Sequence, residues 1–249
     1  MEYKRFADIK RLEFIIETLK KHIPENAVVL DVGCGNGIIS RGIGAHGFSV
    51  LGIDVSEKAI EKARSLTHIP NVKFDVVSAE QLVADGKKYH AVICSEVLEH
   101  LNQPEKLLSV LFRTLTDDGV LIVTVPNGKG PREVMVTKPV ISLQKKNNWL
   151  WRALLKVKKF FGYSGTTIQS DADDLTHIQF FTKKSLEELA DNNNFKIVRF
   201  GKTNFIDDVF PFSLVTRKIK VLQKWDGVLA EKLPYQFTGG FVTVWKKSK

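Results

Sequence analysis

Val29-Leu30-Asp31-Val32-Gly33-Cys34-Gly35-Asn36-Gly37 is the stretch that most limits what this 249-residue chain can become. The apolar run Val28–Val32 reads as a buried strand. The alternating glycines after it let the backbone turn tightly and approach a ligand before a helix begins near Ile38–Ala45. A second apolar run, Ser49–Ile53, leads to Asp54, 21 residues after Gly33, where a carboxylate accepts hydrogen bonds from ribose hydroxyls. The pair points to an adenosine-containing ligand at a switch point of a sheet. The dinucleotide pattern Gly-x-Gly-x-x-Gly is not met, because its sixth position is Ile38 and Gly37 comes one place early. Asp31, just ahead of the glycines, repels phosphate and suits a cationic amine or sulfonium.

The same alternation of strand and helix continues. Ser56 is placed to cap a helix Glu57–Leu66, Val72–Val77 and Ala91–Ser95 read as strands, and Pro104 opens a helix through Leu115. Asp118-Gly119 reads as a turn before the strand Val120–Val125, which Pro126 stops. Later come Thr182 capping Lys183–Asp191, a strand Lys196–Phe200, a helix Ser213–Leu229 and a last strand Phe241–Lys246. Continuous apolar strands separated by helices predict an α/β fold: a seven-stranded, mostly parallel sheet with helices on both faces. The pattern breaks at Pro126-Asn127-Gly128, so the chain is expected to be one domain, 1–249, with a lid inserted over 127–181.

Composition narrows the class. At 43% apolar and 26% charged the chain is ordinary for a globular protein, and no apolar run approaches the ~20 residues of a membrane-spanning helix. The first residues mix acids with bases, unlike a secretory signal, and two cysteines, Cys34 and Cys94, are too few for a disulfide scaffold; a reduced, cytoplasmic enzyme is expected. The net charge of +9 is concentrated: residues 128–170 hold nine Lys/Arg against one acid. Within that block Trp149–Phe161 interleaves aromatic and basic residues. The block suits an anionic acceptor, peripheral contact of 149–161 with an anionic membrane, or a solvated lid whose aromatics pack on the sheet. No recognisable RNA-binding motif accompanies it, which speaks against a nucleic-acid partner.

These motifs, Val-Leu-Asp-x-Gly-Cys-Gly-x-Gly followed by Gly-Ile-Asp-x-Ser, resemble those of the class I S-adenosylmethionine-dependent methyltransferases, over roughly residues 25–200 and in the same order. The resemblance is greatest to the small-molecule, ubiquinone-biosynthesis-like branch. It implies a Rossmann-like fold, S-adenosyl-L-methionine as cofactor and a small-molecule acceptor. A saccharide, lipid-linked or quinone-type oxygen is expected, with RNA 2′-O-methylation or cofactor binding without catalysis as alternatives. By the same resemblance Asp31 serves the methionine amine, and Gly33, Cys34 and Gly35 line the methionine. Asp54 holds the ribose, Val55 covers the adenine, and Ser78-Ala79-Glu80 stands where the family has acid-Ala-acid. Ser95 and Glu96 complete the cleft.

Glu96-Val97-Leu98-Glu99-His100 follows the fourth strand. On a helical turn Glu96, Glu99 and His100 share a face and could bind a divalent metal, as the similar Glu-x-x-Glu-His pattern of ubiquinone-biosynthesis and small-RNA methyltransferases suggests. Leu-Glu-His also shapes the acceptor pocket in methyltransferases that use no metal. His177, in Thr176-His177-Ile178-Gln179-Phe180-Phe181, resembles a lid histidine. His100 or His177 is the candidate general base; a buried, hydrogen-bonded histidine holding the lid is the competing reading.

Overall fold

In a computed structural model the described residues are 5–24, 27–84, 86–139, 142, 177–207, 209, 212–216 and 219–248. The basic block therefore falls mostly outside them. Trp149–Phe161, with the membrane contact expected of it, lies wholly outside, as does the lid between residues 143 and 176.

Helix α1 (Phe6–His22) precedes β1 (Val28–Val32), α2 (Ile38–Gly44), β2 (Ser49–Asp54), α3 (Glu57–Ser65), β3 (Val72–Val76), α4 (Ala79–Ala84) and β4 (Tyr89–Ser95). After a short 3-10 turn, Leu98–His100, come α5 (Pro104–Thr114), β5 (Leu115–Pro126) and a π-helical turn, Glu133–Thr137. The chain then forms α6 (Lys183–Asn192), β6 (Phe195–Lys202), α7 (Phe212–Thr216), α8 (Lys220–Lys232) and β7 (Gly240–Lys247).

The seven strands form one mostly parallel sheet, as the alternation predicts, in the order β3-β2-β1-β4-β5-β7-β6. β1 to β5 pair in parallel and β7 runs antiparallel to both neighbours. Side chains alternate across the strands and build a core on each face. Val29, Ala91, Ile93 and Ile122 pack with Ile15 and Leu19 of α1, Ile43 of α2 and Ile60 of α3. Leu30, Val92, Cys94 and Leu121 pack with Leu82 of α4, Leu108 and Leu111 of α5, and Leu186 of α6. Doubly covered strands have no wet face, which is why they read as unbroken apolar runs. The predicted caps form: Ser56 Oγ accepts from Ala59 N (3.3 Å), and Thr182 and Ser185 make a capping box.

Four elements differ from what the alternation predicts. The Asp118-Gly119 turn is absorbed into β5, whose register against β4 is irregular between Tyr89 and Ala91, so the extra residues bulge without ending the strand. The helix expected over Ser213–Leu229 is two, α7 and α8, and Ile219 before α8 is extended (φ −121°, ψ 93°). Helices α1 and α4 are not among the expected elements, although in α1 Leu12, Ile15, Ile16 and Leu19 stand at helical spacing.

Candidate active site

The strand order reverses between β1 and β4, and the crevice beyond the carboxyl ends of these strands is where such sheets bind ligands. The glycine turn opens there. Gly33 N and Cys34 N both donate to Ile53 O (2.9 and 3.0 Å), tying the turn to β2. Gly33, Gly35 and Gly37 have φ of 68°, 54° and 75°, the left-handed region that glycine enters without cost. A Cβ on Gly33 would also come within 2.6 Å of Val97 Cγ2, so the turn and the loop after β4 are in contact.

Asp54 is half-buried at the end of β2. Its Oδ2 accepts from Gly35 N and its Oδ1 from Ser56 N, both at 2.9 Å, so one carboxylate orients the turn and starts the α3 cap. A carboxylate has about four acceptor positions, which leaves some for ribose hydroxyls. Val55 beside it is 76% exposed, an apolar surface open to a ring. Asp31, expected to serve the methionine amine, is buried beneath the turn, and its Oδ2 accepts from Ser40 Oγ of α2 (2.5 Å). Burial and the neighbouring Asp54 push its carboxyl up to about 7, against the bond from Ser40. Burial raises both thiols, Cys34 and Cys94, so they serve as small apolar groups and not as nucleophiles.

Ser78 replaces the first acid of the family pattern for a local reason. Its Oγ accepts from Gln81 N (3.3 Å) while Gln81 Oε1 accepts from Ser78 N (2.8 Å), so it caps α4. Ala79 is buried and Glu80 exposed. On the other side of the crevice Ser95 Oγ meets Thr124 Oγ1 at 2.8 Å, and Thr124 Oγ1 donates to Glu96 Oε1 at 3.0 Å. The same Glu96 oxygen lies 3.3 Å from Arg11 Nη2 of α1. Glu96 holds φ 58°, a conformation uncommon outside glycine that marks the sharp exit from β4.

That exit redirects the expected acid–acid–histidine face. Glu96 is held by Thr124 and Arg11, and the group that converges is instead Glu99, His100 and His177, with one ligand atom from each lying within 4.8 Å of the others. Residues 77 positions apart are brought together by the backbone, since Ile178 N and Gln179 N both donate to Glu99 O (2.8 and 3.0 Å). The His100 and His177 rings meet edge-on, 5.3 Å between centroids. Gly128 N donates to Phe181 O (2.6 Å), joining the chain just after β5 to the residue before the α6 cap.

Glu99 is 1% exposed and, among the described residues, neither of its carboxylate oxygens has a hydrogen-bond partner. Burial first, then Glu96, raises its carboxyl well above the ordinary range. Glu133, on the π-helical turn, is equally buried and without a hydrogen-bond partner, its Oε1 3.4 Å from His177 Nδ1. Glu133 is not among the site residues the sequence points to, although it is the lone acid of the basic block and ends the segment that begins at Pro126. Buried carboxylates without donors beside two imidazoles fit a divalent cation of the oxygen- and nitrogen-binding kind.

A parallel sheet reversing at a glycine turn, with a carboxylate at the end of the next strand, defines a Rossmann-like nucleoside-binding fold. A family model described as a methyltransferase domain matches residues 1–199, and the chain belongs to that family. It is 35% identical over 122 residues to the ubiquinone biosynthesis O-methyltransferase of Rickettsia akari, covering 47% of this chain and 48% of that one. Against the Rickettsia felis enzyme of the same name it is 31% identical over 158 residues, covering 61% and 64%. The chain thus spans about half to two-thirds of the length of these curated relatives. Among solved structures, the magnesium protoporphyrin IX methyltransferase of Synechocystis with bound S-adenosylhomocysteine superposes at a TM-score of 0.58, with 18% identity over 97% of this chain and 84% of that one. The 1,6-didemethyltoxoflavin-N1-methyltransferase of Burkholderia thailandensis gives 0.57, with 16% identity over 96% and 79%. At such identities the likeness is one of fold.

Proposed function

We propose that this chain transfers a methyl group from S-adenosylmethionine to a hydroxyl oxygen of a small, quinone-type acceptor, with a divalent cation held by Glu99, His100 and His177. The observation that carries the reading is the convergence of those three side chains beside the glycine turn, through Val97. Family membership and O-methyltransferase relatives support the reaction class.

When bound, S-adenosylmethionine supplies an electrophilic methyl on a sulfonium, and a cation supplies charge that lowers the pKa of an acceptor hydroxyl. Everything else falls to the chain. Asp54 binds the ribose, and Val55 lies on the adenine. Gly33 and Gly35 let the backbone close on the methionine part. Asp31, buried behind the turn, serves the methionine amine. His100 and His177 orient the acceptor oxygen, and without a cation either imidazole is the group that takes the hydroxyl proton. Glu133, with Oε1 3.4 Å from Nδ1, gives His177 a buried acidic neighbour. Positioning in a water-excluded crevice accounts for much of the acceleration of such a displacement.

Calorimetric titration tests the two halves separately. S-adenosylhomocysteine is expected to bind the wild type and not Asp54→Ala; equal affinity in both overturns the cofactor site. Mn²⁺ is expected to bind the wild type and to lose at least about tenfold in affinity in Glu99→Gln. No heat with Mn²⁺, together with turnover indifferent to chelator, removes the cation and leaves the histidines as base.

A further inference from the structure

Helix α8 is packed inside out. Its buried positions are Gln223, Asp226, Gly227 and Ala230. Gln223 Oε1 accepts from Phe6 N and Gln223 Nε2 donates to Thr216 O, both at 2.9 Å. Asp226 accepts from Phe205 N (2.7 Å) and Ile206 N (2.9 Å). Gly227 lies against the ring of Phe6, where a Cβ would come within 2.5 Å. The opposite face carries Val221, Leu222, Trp225, Val228 and Leu229, between 40% and 69% exposed. At 100° per residue these five span an arc of about 120°, the width an amphipathic helix normally turns to a core. The inner hydrogen bonds prevent the rotation that would bury it. An exposed apolar face of this kind marks an interaction site.

The charges around the arc select the partner. Lys220, Lys224 and Lys232 are exposed on the helix, and Arg217-Lys218 precede it in sequence. Its two acids are both engaged, Glu231 with Lys10 and Asp226 with backbone N–H groups. A second copy docked face to face would set these lysines against one another. An anionic bilayer accepts both features, the apolar arc at the acyl boundary and the ammonium groups among the headgroups. We propose that α8 is a peripheral membrane contact that lays its Val221–Leu229 face on an anionic lipid surface. This contact is separate from the one expected of 149–161 and does not depend on the reaction assigned above.

Flotation of the full chain with vesicles tests it, using phosphatidylcholine alone and phosphatidylcholine with about one third phosphatidylglycerol. The wild type is expected to float with the anionic vesicles only, and less as salt rises. Trp225→Ser/Leu229→Ser and Lys220→Glu/Lys224→Glu are each expected to cut the bound fraction at least about tenfold. Thermal midpoints should not move, because the side chains are exposed. Three results would overturn the proposal: a wild type indifferent to anionic vesicles, variants that float as well as the wild type, or a wild-type dimer in sedimentation that Trp225→Ser dissolves.

Discussion

Burial beneath the glycine turn lifts Asp31 from an ordinary 3.8 to about 7, and this has a sign that can be checked. The folded state holds a proton that the unfolded chain releases, so the contribution of Asp31 to stability is complete below about 3.8 and is lost as pH rises through about 7. Asp31→Asn keeps an acceptor for Ser40 and removes the titration. The stability of the wild type relative to this variant, from urea unfolding, should therefore fall between pH 4 and 7 and level off above; a flat difference contradicts the burial argument. Glu133 acts through His177, so Glu133→Gln should lower kcat more than KM and shift the pH profile of turnover, whereas a purely structural residue would lower only the thermal midpoint. The place of the glycine turn, Asp54 and Val55 at one end of the sheet was legible because they are adjacent in sequence to strand ends. Glu133 was not, since nothing local announces that a carboxylate will be buried against a histidine 44 positions away.

At the scale of elements, local signals with a mechanism were readable. Ser56 and Thr182 before helical periods became caps, and Pro104 became the first residue of α5. Thr182→Ala should cost about 1 kcal/mol in urea unfolding, as the loss of a cap does, and no loss would mean that packing of Leu186 alone holds α6. Gly33→Ala meets both a φ of 68° and Val97 at 2.6 Å, and about 1–3 kcal/mol is expected, with weaker S-adenosylhomocysteine binding. What could not be read were tertiary decisions. The regular turn taken for Glu96–His100 is broken by the positive φ of Glu96, which Thr124 and Arg11 hold, and Arg11 comes from a helix absent from the reading. Helix α8 shows the same limit, because its apolar stripe would ordinarily be assigned to the core, and only Gln223 and Asp226 turn it outward.

For the molecule as a whole, the sheet was the most legible feature: the central strands β1, β4 and β5 are buried on both faces and read as apolar runs, while β3 and β6, with Lys73, Asp75 and Arg199 exposed, carry polar positions within the strand. Among the described residues no helix is long and apolar enough to cross a membrane, so contact with a bilayer through α8 would lie in its plane. The fold itself, shared with porphyrin and toxoflavin methyltransferases, does not select the acceptor. In the function proposed above, Glu99, His100 and His177 act with the glycine turn in one reaction. The most direct test is transfer of a labelled methyl from S-adenosylmethionine to a phenolic quinone precursor, by the wild type and by Glu99→Gln and His177→Gln variants that keep S-adenosylhomocysteine affinity. Label in the organic phase for the wild type, reduced at least about 100-fold in both variants, is the predicted result. Undiminished transfer by either variant would contradict the assignment of that side chain to the chemistry.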